Sequence, residues 1–356
     1  MKKLLSVSLA AVMAMGVLAG CTSNKDDGAA ATKDEKKEDK VVNVYTARHY
    51  PSDEAVFDAF TADTGIKVNL VKATAEELFE RMKREGENTE ADIFMTVDGG
   101  VLNTAKTSDL LQPIESKEID ANVPKNLRDK DNHWVGLSTR ARVLVYPKDR
   151  VKSEQLSTYE DLATDKWKGK VAARSSTNLY NQSLLASFIA LDGEEKAEAW
   201  AKGITTNLVQ NPPEGGDRDQ AKKVVAGQGD VAIMNSYYVG QLANSENPEE
   251  VKVAEKLGVF FPNQETTGTH VNISGMGLAK HSKNKDNAVK LIEYFTGEKA
   301  QTQLISKSFE FPVNSKAQLP ELLKSWGTFK TQEIDFAVLG ENNVKATQIF
   351  NKVGWK

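Results

Sequence analysis

The chain has 356 residues, 40% of them apolar and 27% charged, with a formal net charge of −4 and one cysteine. That length favours two domains with sizeable cores, and a single thiol rules out an internal disulfide. The mild acidity and lack of a basic block argue against nucleic acid as a partner.

Residues 1–20 read as an export signal. Lys2-Lys3 form a basic start, and Leu4 to Val17 an apolar core too short to span a bilayer stably. Leu18-Ala19-Gly20-Cys21 looks like a bacterial lipobox, which implies cleavage before Cys21 and a lipid on its sulfur. Residues 21–40 carry no large apolar side chain beyond Cys21, and Thr22 to Lys40 holds five lysines against six acids, a solvated tether.

Val41 to Ala47 is predicted as a strand. Pro51-Ser52-Asp53-Glu54 opens a helix to about Thr64, with Gly65 as its stop. Lys67–Lys72, a helix from about Ala75 to Glu85, and Asp92–Val97 complete a βαβαβ pattern, and Asp98-Gly99-Gly100 begins another crossover. Gly136 to Tyr146 is too long for one compact strand and is expected to cross between lobes. Lys170–Ala173 is a strand, followed by a helix starting near Asn181. After a helix over Asp219–Val225, Val231–Met234 is a buried strand and Val239 onward a helix. Leu257–Phe261 is a strand, and Thr269 to Lys280 is expected to cross back; Ala288–Phe295 and Val344–Val353 are the clearest later helices. The expected boundaries are 41–137 for the first part of lobe one, 138–269 for lobe two, and 270–356 for the return to lobe one and the C-terminal helices.

His49, Tyr50, Tyr180, Tyr237 and Tyr238 all fall where a strand hands over to a helix. In a continuing strand, neighbouring tyrosines would point to opposite faces; at such a junction both hydroxyls can turn to one point. Ligands of open α/β sheets bind outside the strands' carboxyl ends, and helix N-termini there favour negative charge. Phenolate is a hard anionic oxygen donor and suits a small, highly charged cation. Three phenolates neutralise Fe³⁺; a fourth leaves one excess negative charge. Calcium would ask for carboxylates and carbonyls, zinc for His and Cys.

From Val41 to Lys356 the chain resembles the ferric-ion-binding proteins, solute receptors of bacterial ABC-type iron importers. The resemblance rests on Tyr45-Thr-Ala-Arg-His-Tyr50, Arg174-Ser-Ser-Thr-Asn-Leu-Tyr-Asn-Gln-Ser183, Asn235-Ser-Tyr-Tyr238 and Phe260-Phe-Pro-Asn-Gln264, with Tyr159-Glu-Asp-Leu162 and Trp167-Lys-Gly-Lys170 beside them. It implies an α/β, two-lobed fold of the type II periplasmic-binding-protein kind, with a hinged cleft and two crossing segments. It also implies Fe³⁺ as the transported ligand on His49, Tyr50, Tyr180, Tyr237 and Tyr238, the shell completed by a synergistic anion such as carbonate or by water. The implied partners are an ABC permease and its ATPase, for a monomer lipid-anchored to the extracytoplasmic face of a membrane.

Arg48, Arg142 and Arg174 are expected to balance phenolate charge or hold the anion, with ion pairing or solvation the plainer role for each; Arg140 is a weaker candidate. His133, His270 and His281 show no metal spacing and read as loop histidines. No Gly-x-Ser-x-Gly elbow, Walker loop or His-Glu-x-x-His motif appears, so an enzyme is not expected. A receptor for a small organic ligand, its tyrosines stacking on the solute, stays open beside the iron reading, and a metal-dependent hydrolase is the remoter alternative.

Overall fold

The structure is a computed structural model that describes residues 40–356. The signal, Cys21 and nearly all of the tether lie outside the described residues. The first strand, β1 (Val41–Thr46), leads into α1 (Pro51–Thr64), which starts on a proline and ends at Gly65 in the left-handed conformation, φ 71°. There follow β2 (Lys67–Lys72), α2 (Ala75–Glu85), β3 (Ile93–Thr96), α3 (Gly99–Thr107), β4 (Leu111–Gln112) and α4 (Lys117–Asn122). β5 (Trp134–Pro147) leads to β6 (Val171–Ala172), α5 (Leu179–Asp192), α6 (Glu194–Asn207), α7 (Asp217–Val225), β7 (Val231–Asn235), α8 (Tyr237–Ala243), α9 (Pro248–Lys256) and β8 (Leu257–Phe260). The chain closes with β9 (Val271–Ala279), α10 (Lys285–Thr296), α11 (Glu298–Ser308), β10 (Phe311–Pro312), α12 (Glu321–Ser325), α13 (Ala337–Glu341) and α14 (Asn343–Val353).

The strands run in the order β2-β1-β3-β9-β5-β7-β6. β5 is the long crossing expected from its length. Trp134 to Ala141 pair antiparallel with β9, while Arg142 to Val145 pair with β7 and Leu144 to Pro147 with β8. The sheet thus has two halves, one lobe built on each, meeting near Ala141 and Arg142. The second crossing falls earlier than the sequence indicates. β9 lies wholly in the first half, paired with β3 and β5, so residues 261–270 make the passage. Its alternating small and apolar residues are buried on both faces, which makes it an inner strand.

The first half is packed by Val42, Val44, Ile93, Met95, Leu278 and Phe295. Leu144, Leu184, Phe188, Trp200 and Ile233 fill the second. The end of the chain does not stay with the first half. α14 packs on α5 and α6, and Trp355 meets Trp200 with ring centroids 6.1 Å apart. A third connection therefore joins the halves behind the cleft.

Candidate metal centre

The junctions deliver their phenols to one place. Tyr50 follows β1 and caps α1 with extended backbone. Tyr180 sits in the first turn of α5, which begins two residues before the expected start because Asn178 caps it, accepting from Tyr180 N at 3.1 Å. Tyr237 and Tyr238 open α8 directly after β7. Tyr237 is the centre: its hydroxyl lies 3.3 Å from that of Tyr50 and 3.2 Å from that of Tyr180. Tyr238 lies against it with ring centroids 4.2 Å apart. Beside Tyr50 a cavity of about 640 Å³, lined among others by Ser52, Arg218, Lys307 and Phe309, opens the seam between the halves to solvent.

Burial sets the chemistry of these hydroxyls. It raises Tyr50 well above the ordinary phenol value, with Tyr180 and Glu310 adding to the rise and Arg48 opposing it. Tyr237, 1% exposed, is raised chiefly by burial and then by Tyr180 and Tyr50. Tyr238 is pushed up to about 12, by burial first and then by Tyr180 and Asp217, against Arg174. These three hydroxyls are neutral at pH 7, and a cation that binds them as phenolates must displace their protons. Among the described residues no group of three or more His, Cys, Asp or Glu could hold a metal ion. A metal centre in this cleft would therefore rest on phenol oxygen.

The arginines divide by lobe. Arg48 is wholly enclosed, paired with Asp53 at 2.8 Å and Glu310 at 2.9 Å. It is committed to carboxylates and not presented to an anion; it reaches the site only through the face of the Tyr50 ring, 4.8 Å from its centroid. Tyr180 instead has three guanidiniums around its ring, Arg140 at 5.2 Å, Arg174 at 5.7 Å and Arg142 at 5.9 Å. Arg142 is fixed by Asp217 at 2.7 Å and by Asn181 at 2.7 Å. Arg174 is looser, 3.8 Å from Asp217 and with its side chain 23% exposed. Phenolate charge on the second half thus faces a net positive wall, whereas Tyr50 backs onto one arginine and two acids.

His49 is exposed and makes no hydrogen bond, ion pair or ring contact among the described residues. It sits next to Tyr50 in sequence but is not brought into the phenol cluster. His270 lies in the loop just before β9, as expected, but is not solvated. It is buried at the hinge, Nδ1 2.9 Å from Gln332 Oε1, and burial brings its pKa down to about 4. Sequence reasoning missed Asp53, Glu310, Asp217, Asp98 and Ser183. Arg48 and Glu310 are 262 residues apart, and no local pattern announces such a pair.

Residues 88–338 match the family described as bacterial extracellular solute-binding proteins. The chain belongs to that family. A relative, iron uptake protein A1 of Synechocystis, is 44% identical over 354 residues, 99% of this chain and 97% of that protein. A Trichodesmium member of the fold, solved in complex with iron and citrate ligands, is 47% identical over 89% of this chain and 100% of its own, with a TM-score of 0.84. The ferric iron-binding protein A of Mannheimia haemolytica, solved in an open conformation, is 41% identical over 88% of this chain and 98% of its own, with a TM-score of 0.80. The expected likeness to ferric-ion-binding proteins and the two-lobed type II fold are both borne out. Such solute-binding proteins act outside the cytoplasm, in transport.

Proposed function

We propose that this chain captures ferric iron outside the cytoplasmic membrane and delivers it to the permease of an ABC importer driven by its ATPase. The observation that carries the reading is the convergence on the Tyr237 hydroxyl of those of Tyr50, from the other half, at 3.3 Å and of Tyr180 at 3.2 Å. Tyr238 stands beside them as a fourth donor. An acid-labile cluster of phenols with no carboxylate among them suits a trivalent hard cation better than calcium or zinc. The names of the relatives support the same metal. The half built on β1, β3 and β9 supplies Tyr50, and the half built on β6 and β7, against which α14 packs by way of α5 and α6, supplies the three later tyrosines, so the two lobes share the iron and binding closes the cleft. His49 would join only by turning inward, and carbonate, another small anion or water would complete the shell. Arg142 and Arg174 balance phenolate charge from behind; Arg48 does so only through the Tyr50 ring. Cys21 carries the lipid that holds a monomer at the membrane.

The test is iron analysis of the purified protein together with its visible spectrum. One iron per chain and a phenolate-to-Fe³⁺ charge-transfer band are expected. A protein that instead retains an organic solute, with neither iron nor band, would make the tyrosines a stacking surface. For the anchor, the wild type should fractionate with membranes and Cys21→Ser should be released or left unprocessed; soluble behaviour of both forms removes the lipid.

A further inference from the structure

The strand-to-helix junction after β3 carries no phenol. Asp98 stands there, 2% exposed, and caps α3 by accepting from Val101 N at 2.9 Å through Oδ1. Its other oxygen, Oδ2, accepts from Asn272 Nδ2 and from the hydroxyl of Ser183, each at 2.6 Å. Asn272 is on β9, in the same half as Asp98. Ser183 is on α5, across the cleft, three residues after Tyr180 and therefore on the same helix face. The neighbouring carbonyl of Val97 accepts from Arg140, whose guanidinium lies 5.2 Å from the centre of the Tyr180 ring. The Val97–Asp98 turn thus reaches Tyr180 by two routes, one through Ser183 and one through Arg140, without touching its hydroxyl.

We infer that Asp98 is a positioning residue for the metal centre: on closure its carboxylate takes the hydroxyl of Ser183, fastens α5 to the opposite lobe, and fixes Tyr180 where the other phenols meet it. A hydrogen bond to a buried carboxylate is among the stronger polar contacts, and this one joins the two halves. Val101 and Asn272 lie in the same half as Asp98, so opening the cleft between α3 and α5 would leave those two bonds in place and turn Ser183 to water. The bond therefore stabilises the closed state alone. Its effect falls on how long the cargo is held, and not on the stability of the empty protein. This inference rests on the phenols holding iron.

The experiment uses the full chain, empty and iron-loaded, with Ser183→Ala, Asp98→Asn and the double variant. Ser183→Ala should release iron to a chelator on the order of tenfold faster, the scale of one hydrogen bond to a charged group. Its charge-transfer band should keep its wavelength, and its empty form should melt with the wild type. Asp98→Asn keeps the α3 cap but cannot accept from both Ser183 and Asn272, so it should release iron faster by more than its loss of empty-state stability accounts for. In that background Ser183→Ala should add little. Unchanged release in both single variants, or equal destabilisation of the empty and loaded forms, overturns the assignment. A wild type lacking the band counts against the iron reading itself, and is distinguishable because it precedes any variant.

Discussion

The hydroxyl of Tyr50 lies 3.3 Å from that of Tyr237, although the two tyrosines hang from opposite halves of the sheet and are 187 residues apart. Tyr237 also meets Tyr180, so it is the one phenol in hydrogen-bond contact with both lobes' contributions. Tyr237→Phe should therefore weaken iron binding more than Tyr50→Phe or Tyr180→Phe. Losing an outer-shell partner typically costs roughly 10–100-fold in metal affinity, and losing this ligand should exceed that. Chelator competition on each variant measures the order; equal losses for all three would deny Tyr237 its central place.

Closure itself can be blocked without touching a ligand. Gly240 on α8 faces Phe309 of the other half so closely that a Cβ there would sit 2.3 Å from the Phe309 Cγ. Opening the cleft between α8 and Phe309 would relieve that clash. Gly240→Ala should thus leave the empty protein folded, and slightly stabilise α8, since alanine exceeds glycine by about 1 kcal/mol in a helix. In the closed state, overpacking costs about 1–3 kcal/mol, which is roughly a 5- to 150-fold loss of iron affinity. Small-angle scattering should show the iron-treated variant more extended than the loaded wild type. Identical radii and affinity would mean that Phe309 yields freely.

Much of this site is legible in the sequence. Tyr50, Tyr180, Tyr237 and Tyr238 could be found because each follows an apolar run and precedes a helical one, a signal local to a dozen residues. β5 was legible as a crossing because the extended run from Gly136 to Tyr146 exceeds a compact strand. β9 was misplaced by one segment: its run of small residues reads as extended in any setting, and only its partners β3 and β5 put it inside the first half. The supporting carboxylates were invisible for a related reason. Asp217 is one of several acids near a helix start in the sequence, and what distinguishes it is Arg142, 75 residues away, at 2.7 Å in a site where neither side chain exceeds 1% exposure. His270 looks like any loop histidine until Tyr159 and Gln332 close over it.

Arg142 and Arg174 both pair with Asp217 yet should behave differently. Removing Arg142 leaves a buried carboxylate without its partner, a loss of about 3–5 kcal/mol in fold stability. Arg174, with its side chain 23% exposed and 3.8 Å from the same acid, contributes about 0–1 kcal/mol to the fold as a partly solvated pair. Arg174→Ala should melt close to the wild type and still bind iron roughly 10-fold or more weakly, because a positive charge opposing the raised pKa of Tyr238 is gone. Arg142→Ala should lower the melting temperature of the empty protein as well. Thermal melts and chelator competition separate the two; a large melting loss for Arg174→Ala would show its role to be structural.

The dependence on pH follows from the same hydroxyls. A free phenol titrates near pH 10, and in the closed cleft before metal binds Tyr50 and Tyr237 are raised above that while Tyr238 is pushed up to about 12. Below those values the empty protein carries one proton on each phenol, and the iron-loaded protein carries none on those that bind as phenolates. Binding therefore releases a proton per phenolate, and log affinity for the free ion rises with pH by about one unit per pH unit for each. Three phenolates give a slope of about three and four give about four. Were the phenols unshifted, the rise would flatten near pH 10; raised values carry it further, toward pH 12 for Tyr238. In the acid direction the same slope releases the cargo: a drop from pH 7 to pH 5 should cost about six orders of magnitude with three phenolates. Competition against a chelator of known proton stoichiometry, which also removes the effect of ferric hydrolysis, gives the slope directly. A value near zero would mean that the phenols keep their protons when the cargo binds, and phenolate coordination by Tyr50, Tyr180, Tyr237 and Tyr238 would be wrong.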